Sequence, residues 1–284
     1  FSLLILITLL YYYITGFITE LSRILTPAIA LAAMLALIYI QNKYSGSKSF
    51  KFFRSYIHIP YYGIIFSAFQ TFVHKLNPAD NDKLLLNADL SVFGFDITRW
   101  FDNYTSTALT EILTLSYFSY YVLPTLSFVL YFFLKEDDSF LKVRNYLLAI
   151  VIGWYVAFIF YLILPAAGPD IAFPENYTNP IIGISPVSTM YLESLSKYLR
   201  ESYVRNTFPS MHFGIILISN YFAFLYRRKY FWFCTLPLGT MLAAATVYLR
   251  QHYLIDLAGS VPIAAISIFL ALKFNSKYKN HKGA

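Results

Sequence analysis

Residues Lys142–Pro165 read KVRNYLLAIVIGWYVAFIFYLILP, and this stretch decides the fold. From Asn145 onward it carries no charge. Roughly 20 apolar residues let a helix cross a bilayer core about 30 Å thick. Hydrophobic periodicity inside the stretch is weak, as expected where lipid is the solvent. Similar apolar runs lie at approximately 1–19, 24–41, 55–74, 105–134, 211–226, 230–249 and 253–273, so eight spans are predicted. Of the 284 residues 58% are hydrophobic and 13% charged, which is too apolar for one soluble domain with a polar surface. The first run is expected to be a retained helix, because no small-residue cleavage site follows it and Glu20 and Arg23 lead straight into the second. Pro60, inside the third, is compatible with a membrane helix. The expected fold is all-α and polytopic.

Charge sets the orientation, because cytoplasmic loops carry the excess of Lys and Arg. Lys43, Lys48, Lys51 and Arg54 follow the second run, and Lys135, Lys142 and Arg144 separate the fourth and fifth. Arg227, Arg228 and Lys229 follow the sixth, and Lys273, Lys277, Lys279 and Lys282 lie at the end. The eight-span arrangement puts all of these on one face, with only Glu136, Asp137 and Asp138 as acids, so that face is strongly positive and the other is net acidic. The net charge of +7 is thus a topology signal, and no nucleic-acid partner is expected. The single cysteine, Cys234, excludes an intramolecular disulfide and a thiolate zinc site. No metal or cofactor is expected.

Two segments on the non-cytoplasmic face are too long to be turns. Residues 75–104 contain a turn near Pro78, then Leu84, Leu85, Leu86, Leu90, Val92 and Phe93, which predict a short interfacial helix. Residues 166–206 carry a helical stretch from about Ser188 to Tyr203, with Tyr191, Leu192, Leu195, Tyr198 and Leu199 on one face. A loop of that length is a lid or a binding element.

Two of the five histidines sit where spans meet this face. His212 ends Pro209-Ser210-Met211-His212, and His252 precedes Asp256 by four residues, a spacing that on a helix puts both side chains on one face. The carboxylate then holds one ring nitrogen while the other faces outward as a nucleophile or base. Pro209 fits the first turn of a helix and Ser210 its cap, and the N–H groups beyond them suit a phosphate. His212, on that first turn, is placed to protonate a departing alkoxide. His58, His74 and His281 read as interfacial or tail residues.

These motifs resemble the type 2 phosphatidic acid phosphatase superfamily, which includes the vanadium haloperoxidases. Its Pro-Ser-x-His is Pro209 to His212, and the His-x3-Asp closing its last motif is His252 to Asp256. The resemblance implies that His252 attacks phosphorus and becomes phosphohistidine, that Asp256 orients it, and that His212 protonates the leaving group. It also implies a six-helix core, so residues 55–284 are expected to form the catalytic part with a lid at 166–206. Residues 1–54 are then two added helices and a basic cytoplasmic loop. The usual Ser-Arg start of the last motif is Ala245-Thr246 here, and the Lys-x6-Arg-Pro motif is missing. Thr246 to Tyr253, Tyr161 to Pro165 with Gly168-Pro169, and Asp89 through Phe93-Gly94 resemble instead the branch of inositol phosphorylceramide synthases and their bacterial relatives. Arg250 and Arg205, with Ser210, are expected at the phosphate, and Lys197 and Arg200 are further basic candidates.

The expected activity is a lipid phosphatase working on a phospholipid or isoprenoid phosphate, in a bacterial inner membrane, with its site facing the periplasm or exterior. The alternative is a lipid phosphotransferase with a lipid alcohol as acceptor. A proton-coupled transporter using His252 and Asp256 is disfavoured, since the polar groups cluster at one face while transport sites lie near the midplane.

Overall fold

The computed structural model describes all residues except 1, 17–20, 45–46, 71, 135–137, 202–203 and 283–284. Glu20, Lys135, Glu136, Asp137 and Tyr203 therefore lie outside the described residues, as do the side chains of Lys43, Arg200, Lys277, Lys279, His281 and Lys282. Among the described residues the regular structure is entirely helical. The chain packs as two units, Phe1–Leu76 and Asn77–Ala284.

The first unit comprises α1 (Ser2–Ile14), α2 (Ser22–Tyr44), α3 (Lys48–Tyr56), α4 (His58–Gln70) and α5 (Val73–Leu76). Helices α1, α2 and α4 pack on one another. Within α2, Ser22–Ile40 is long and apolar enough to cross a membrane. The basic segment expected as a loop is largely α3, started by Ser47, whose hydroxyl accepts from the Phe50 N–H at 3.3 Å. The run expected as one span at 55–74 is broken into α4 and α5. Pro60 lies in the first turn of α4, where its missing N–H costs nothing, so it begins a helix here instead of kinking one. The 13 residues of α4 rise only about 20 Å.

The second unit opens with α6 (Asp82–Phe93), the helix expected in 75–104, closed by Gly94 in the left-handed conformation, and α7 (Ile97–Asp102). Then come α8 (Thr107–Phe132), α9 (Ser139–Ile163), α10 (Pro169–Ala172), α11 (Pro186–Glu201), α12 (Met211–Tyr226), α13 (Arg228–Tyr230), α14 (Leu236–Tyr248) and α15 (Leu254–Lys282). A π-helical turn, Phe231–Thr235, joins α13 to α14, and Arg228–Tyr248 is one apolar stretch. That stretch, α8, α9 and Leu254–Ser276 of α15 are long and apolar enough to span. With α2 they make five such helices among the described residues, so the protein is a polytopic membrane protein. Ile5–Ile14 and Met211–Tyr226 are shorter apolar helices.

Helix α12 is the hub, packed against α8, α9, α14 and α15, with Ile216, Ile218 and Phe222 fully buried. A Cβ at Gly239 of α14 would collide with Ile216, so the missing side chain is what lets these helices approach. Polar contacts add specificity where lipid offers none. The Tyr146 hydroxyl meets Ser219 at 3.0 Å, Asn145 donates to the Tyr226 hydroxyl at 3.1 Å, and Asn275 donates to Asn145. The starts of α8, α12 and α15 and the ends of α9 and α14 meet at one end of the bundle. There the Tyr161 hydroxyl donates to the Pro209 carbonyl at 3.1 Å, and the Tyr248 hydroxyl bonds Thr110 at 2.6 Å.

Candidate active site

The site is built on the turn between α14 and α15. At the end of α14 the Arg250 N–H donates to the Val247 carbonyl at 3.0 Å and the Gln251 N–H to the Thr246 carbonyl at 3.0 Å. This is a Schellman closure, which calls for a left-handed residue at the position just after the helix cap. Arg250 fills it with φ 59°, where glycine is the usual choice. The His252 N–H also donates to Thr246, at 3.1 Å. Gly168 makes the turn possible from the other side: its φ is +97°, and a Cβ there would lie 2.7 Å from the Gln251 carbonyl oxygen.

His252 stands just outside α15, not on it. The expected geometry, two side chains four apart on one helix face, is therefore replaced by a different one. Asp256 lies in the first turn of α15 and its carboxylate reaches back, accepting from the Tyr253 N–H at 2.8 Å and from His252 Nδ1 at 3.2 Å. The first contact is half of a capping box, and the second adds the ring to it. Asp89 on α6 accepts from the next two N–H groups, Leu254 at 2.8 Å and Ile255 at 2.6 Å, and so occupies the rest of this helix start. Burial pushes the Asp89 carboxyl up, and those two N–H groups oppose the rise.

Ser210 caps α12 as expected, its buried hydroxyl accepting from the Phe213 N–H at 3.4 Å. Its own N–H donates to the Asp256 carbonyl at 3.1 Å, and the Ser260 hydroxyl bonds both the Ser210 and Asp256 carbonyls at 2.7 and 2.8 Å. These contacts lock the register of α12 to α15 and bring the two histidines together. His212 Nδ1 lies 3.1 Å from His252 Nε2, and His212 Nε2 lies 2.8 Å from the Tyr117 hydroxyl. The four side chains form one line, Tyr117–His212–His252–Asp256. With Asp256 ionised, one pattern of neutral tautomers satisfies every link: His252 donates from Nδ1, His212 donates from Nδ1 to His252 Nε2, and Tyr117 donates to His212 Nε2. Burial first, then the neighbouring His212, pushes the His252 imidazole well below its ordinary pKa, which favours the neutral ring.

The basic candidates whose side chains are described, Arg250, Arg205 and Lys197, are engaged elsewhere or apart from this line. Arg250 pairs with Asp102 at 2.6 Å, donates to the Asn179 carbonyl at 2.5 Å, and stacks on Tyr177 at 4.3 Å. Arg205 pairs with Asp80 at 3.1 Å. Lys197 lines a cavity of about 660 Å³ together with Asp170, Glu193, Leu249, Arg250 and Gln251, beside the histidine turn. Among the described residues no group of three or more His, Cys, Asp or Glu is placed to hold a metal ion.

Sequence reasoning missed the acids that fasten residues 166–206 to the bundle. Asp82 accepts from the Ala167 and Gly168 N–H groups, both at 2.8 Å, and from the Tyr253 hydroxyl at 2.9 Å. Asp102 accepts from the Thr178 N–H and hydroxyl, both at 3.0 Å, as well as from Arg250. Burial acts to raise the Asp102 carboxyl, but these donors and the guanidinium outweigh it and hold it below the usual range. Glu111 on α8 accepts from the N–H groups of Ile184 and Ser185, at 2.8 and 3.0 Å, and from the Ser185 and Ser188 hydroxyls. A signal was available, since acids this deep in an apolar chain need partners. Asp102→Asn leaves Arg250 buried without its counter-charge and is expected to cost about 3–5 kcal/mol of stability. The check is the detergent-solubilised protein's thermal unfolding; a midpoint equal to that of the wild type would contradict the assignment.

An all-helical membrane protein carrying a paired-histidine, single-carboxylate site at one end of its bundle is the class these observations define. The family model of the PAP2 superfamily matches residues 84–270, more than half of the chain and inclusive of the whole histidine line, and the protein belongs to that superfamily. Membership supports a phosphatase-type enzyme acting on a phosphorylated lipid. No curated protein and no solved structure matches the chain.

Proposed function

We propose that the protein is an integral-membrane lipid phosphatase that cleaves a lipid phosphate ester through a phosphohistidine, on the extracytoplasmic side. The observation that carries this reading is the line from Asp256 through His252 to His212. Asp256 holds His252 Nδ1, which leaves the Nε2 lone pair for phosphorus and stabilises the charge the ring gains as the bond forms. His212 stands on the other side of that nitrogen, where a leaving oxygen needs a proton. Ser210 belongs to this site through the start of α12. Arg250 and Arg205 are assigned to the phosphate on charge and chain position, each working from within its ion pair. The orientation rests on the distribution of Lys and Arg between the two faces.

A lipid phosphotransferase is the second reading. It is supported by the fastening of residues 166–206 through Asp82, Asp102 and Glu111, which suits a fixed cover that excludes water, and by the resemblance to inositol phosphorylceramide synthases. Purified enzyme given phosphatidic acid alone is expected to release phosphate for many turnovers, because water at about 55 M is the default acceptor at an open site. Release that stops after one turnover and resumes on adding ceramide or diacylglycerol would replace hydrolysis by transfer.

A further inference from the structure

Tyr117 is the one member of the buried line that neither histidine motif contains. It projects from α8, is 2% exposed, and places its hydroxyl 2.8 Å from His212 Nε2. Its ring and that of Tyr120 flank the His212 imidazole, with centroids 4.9 and 4.3 Å away. The imidazole is thus held between two tilted tyrosine rings and by a hydrogen bond at Nε2, the nitrogen remote from His252, while Nδ1 points at His252.

Resting on the phosphohistidine reading, we infer that Tyr117 is the positioning residue that reserves Nδ1 of His212 for proton exchange with the substrate. A hydroxyl suits the task because it both donates and accepts. In the resting state it donates to the unprotonated Nε2. When a monoanionic phosphate ester enters between the rings, His212 takes the ester's proton as its second one and the ester becomes the dianion, and Nε2–H then donates to the Tyr117 oxygen. The His252 Nε2 lone pair attacks phosphorus, the bond from phosphorus to the leaving oxygen breaks, and that oxygen keeps the electron pair and takes the Nδ1 proton. His212 is left neutral, still donating from Nε2, with a lone pair on Nδ1. Water then attacks the phosphohistidine and gives its proton to Nδ1, the N–P electron pair returns to His252, and the departing phosphate carries the extra proton away, which restores the neutral ring. The ring keeps one orientation through both protonation states. Phenylalanine would preserve the packing and lose this hold.

The test separates leaving groups. Phosphatidic acid must release an alkoxide oxygen that needs a proton, whereas the leaving group of p-nitrophenyl phosphate departs without one. Tyr117→Phe is expected to slow single-turnover phosphoenzyme formation from phosphatidic acid by about 10- to 100-fold while changing phosphoenzyme formation from p-nitrophenyl phosphate by less than about threefold, the later hydrolysis step being common to both donors. His212→Ala, measured alongside, is expected to show the same split more strongly, at about 10²- to 10⁴-fold. Equal slowing of both donors in Tyr117→Phe would reduce Tyr117 to a packing residue, and no slowing of either would remove it from the mechanism. If His212→Ala shows the split and Tyr117→Phe does not, this inference alone falls. If His212→Ala shows no split, the assignment of His212 as proton donor falls with it.

Discussion

Replacing His252 by alanine is expected to abolish phosphoenzyme formation and to lower turnover by on the order of 10⁵-fold or more, since loss of a nucleophile or its base in a hydrolase triad costs about 10⁶. The substitution removes the imidazole whose Nδ1 Asp256 holds and whose Nε2 faces His212. It leaves the turn intact, because the backbone N–H of residue 252 keeps its bond to the Thr246 carbonyl and α15 keeps its caps at Tyr253, Leu254 and Ile255. The measurement is acid-quenched capture of labelled phosphate on the protein, with steady-state turnover in parallel. A His252→Ala enzyme that still traps phosphate, or turns over within tenfold of wild type, would end the phosphohistidine mechanism.

The second large effect belongs to Asp256, and here the structure divides what the carboxylate does. One oxygen, Oδ2, receives both His252 Nδ1 and the Tyr253 N–H, while the buried Oδ1 has no hydrogen-bond partner among the described residues. An asparagine can put its amide oxygen in the Oδ2 place and keep the His252 tautomer, at the cost of a buried NH₂ without an acceptor. It loses the negative charge that offsets the phosphoimidazolium. Asp256→Asn is therefore expected to slow turnover by about 10²- to 10³-fold, the size of a lost electrostatic contact in a transition state. Asp256→Ala also frees the ring to rotate and flip its proton, and is expected to reach about 10⁴-fold, as in a triad with the wrong tautomer. Equal losses in the two variants would mean that charge alone matters, and a loss below tenfold in both would exclude Asp256 from the chemistry.

The membrane character and most helices were legible because apolar length is written locally, in runs such as 142–165 and 253–273. The break of the third run into α4 and α5 was not, since residues 55–74 contain no Asp, Glu, Lys or Arg and only packing decides where such a run stops. In the candidate site, His212, His252 and Asp256 could be found from two short spacings. The reason offered for the last pair was incomplete: Asp256 reaches His252 as a cap reaching back over a helix start, and the four-residue spacing serves that geometry as well as a helical face. Tyr117 and Asp102 were hidden because each meets its partner across 95 and 148 residues of chain, a separation at which no local pattern survives. Arg250 was noticed for its charge, while its left-handed backbone, a property of the α14 closure, leaves no trace in residue type.

The contact between the two imidazoles has a consequence for any molecule designed to bind here. At 3.1 Å the nitrogens leave no room for a phosphorus atom between them, so the resting pocket holds an internal competitor that every ligand must displace. A buried neutral hydrogen bond is worth about 0.5–1.5 kcal/mol, and giving it up weakens affinity by about two- to tenfold. A compound that accepts from His212 Nδ1 and donates to His252 Nε2 at the same time recovers both halves of the broken bond. A plain phosphate dianion recovers only the first.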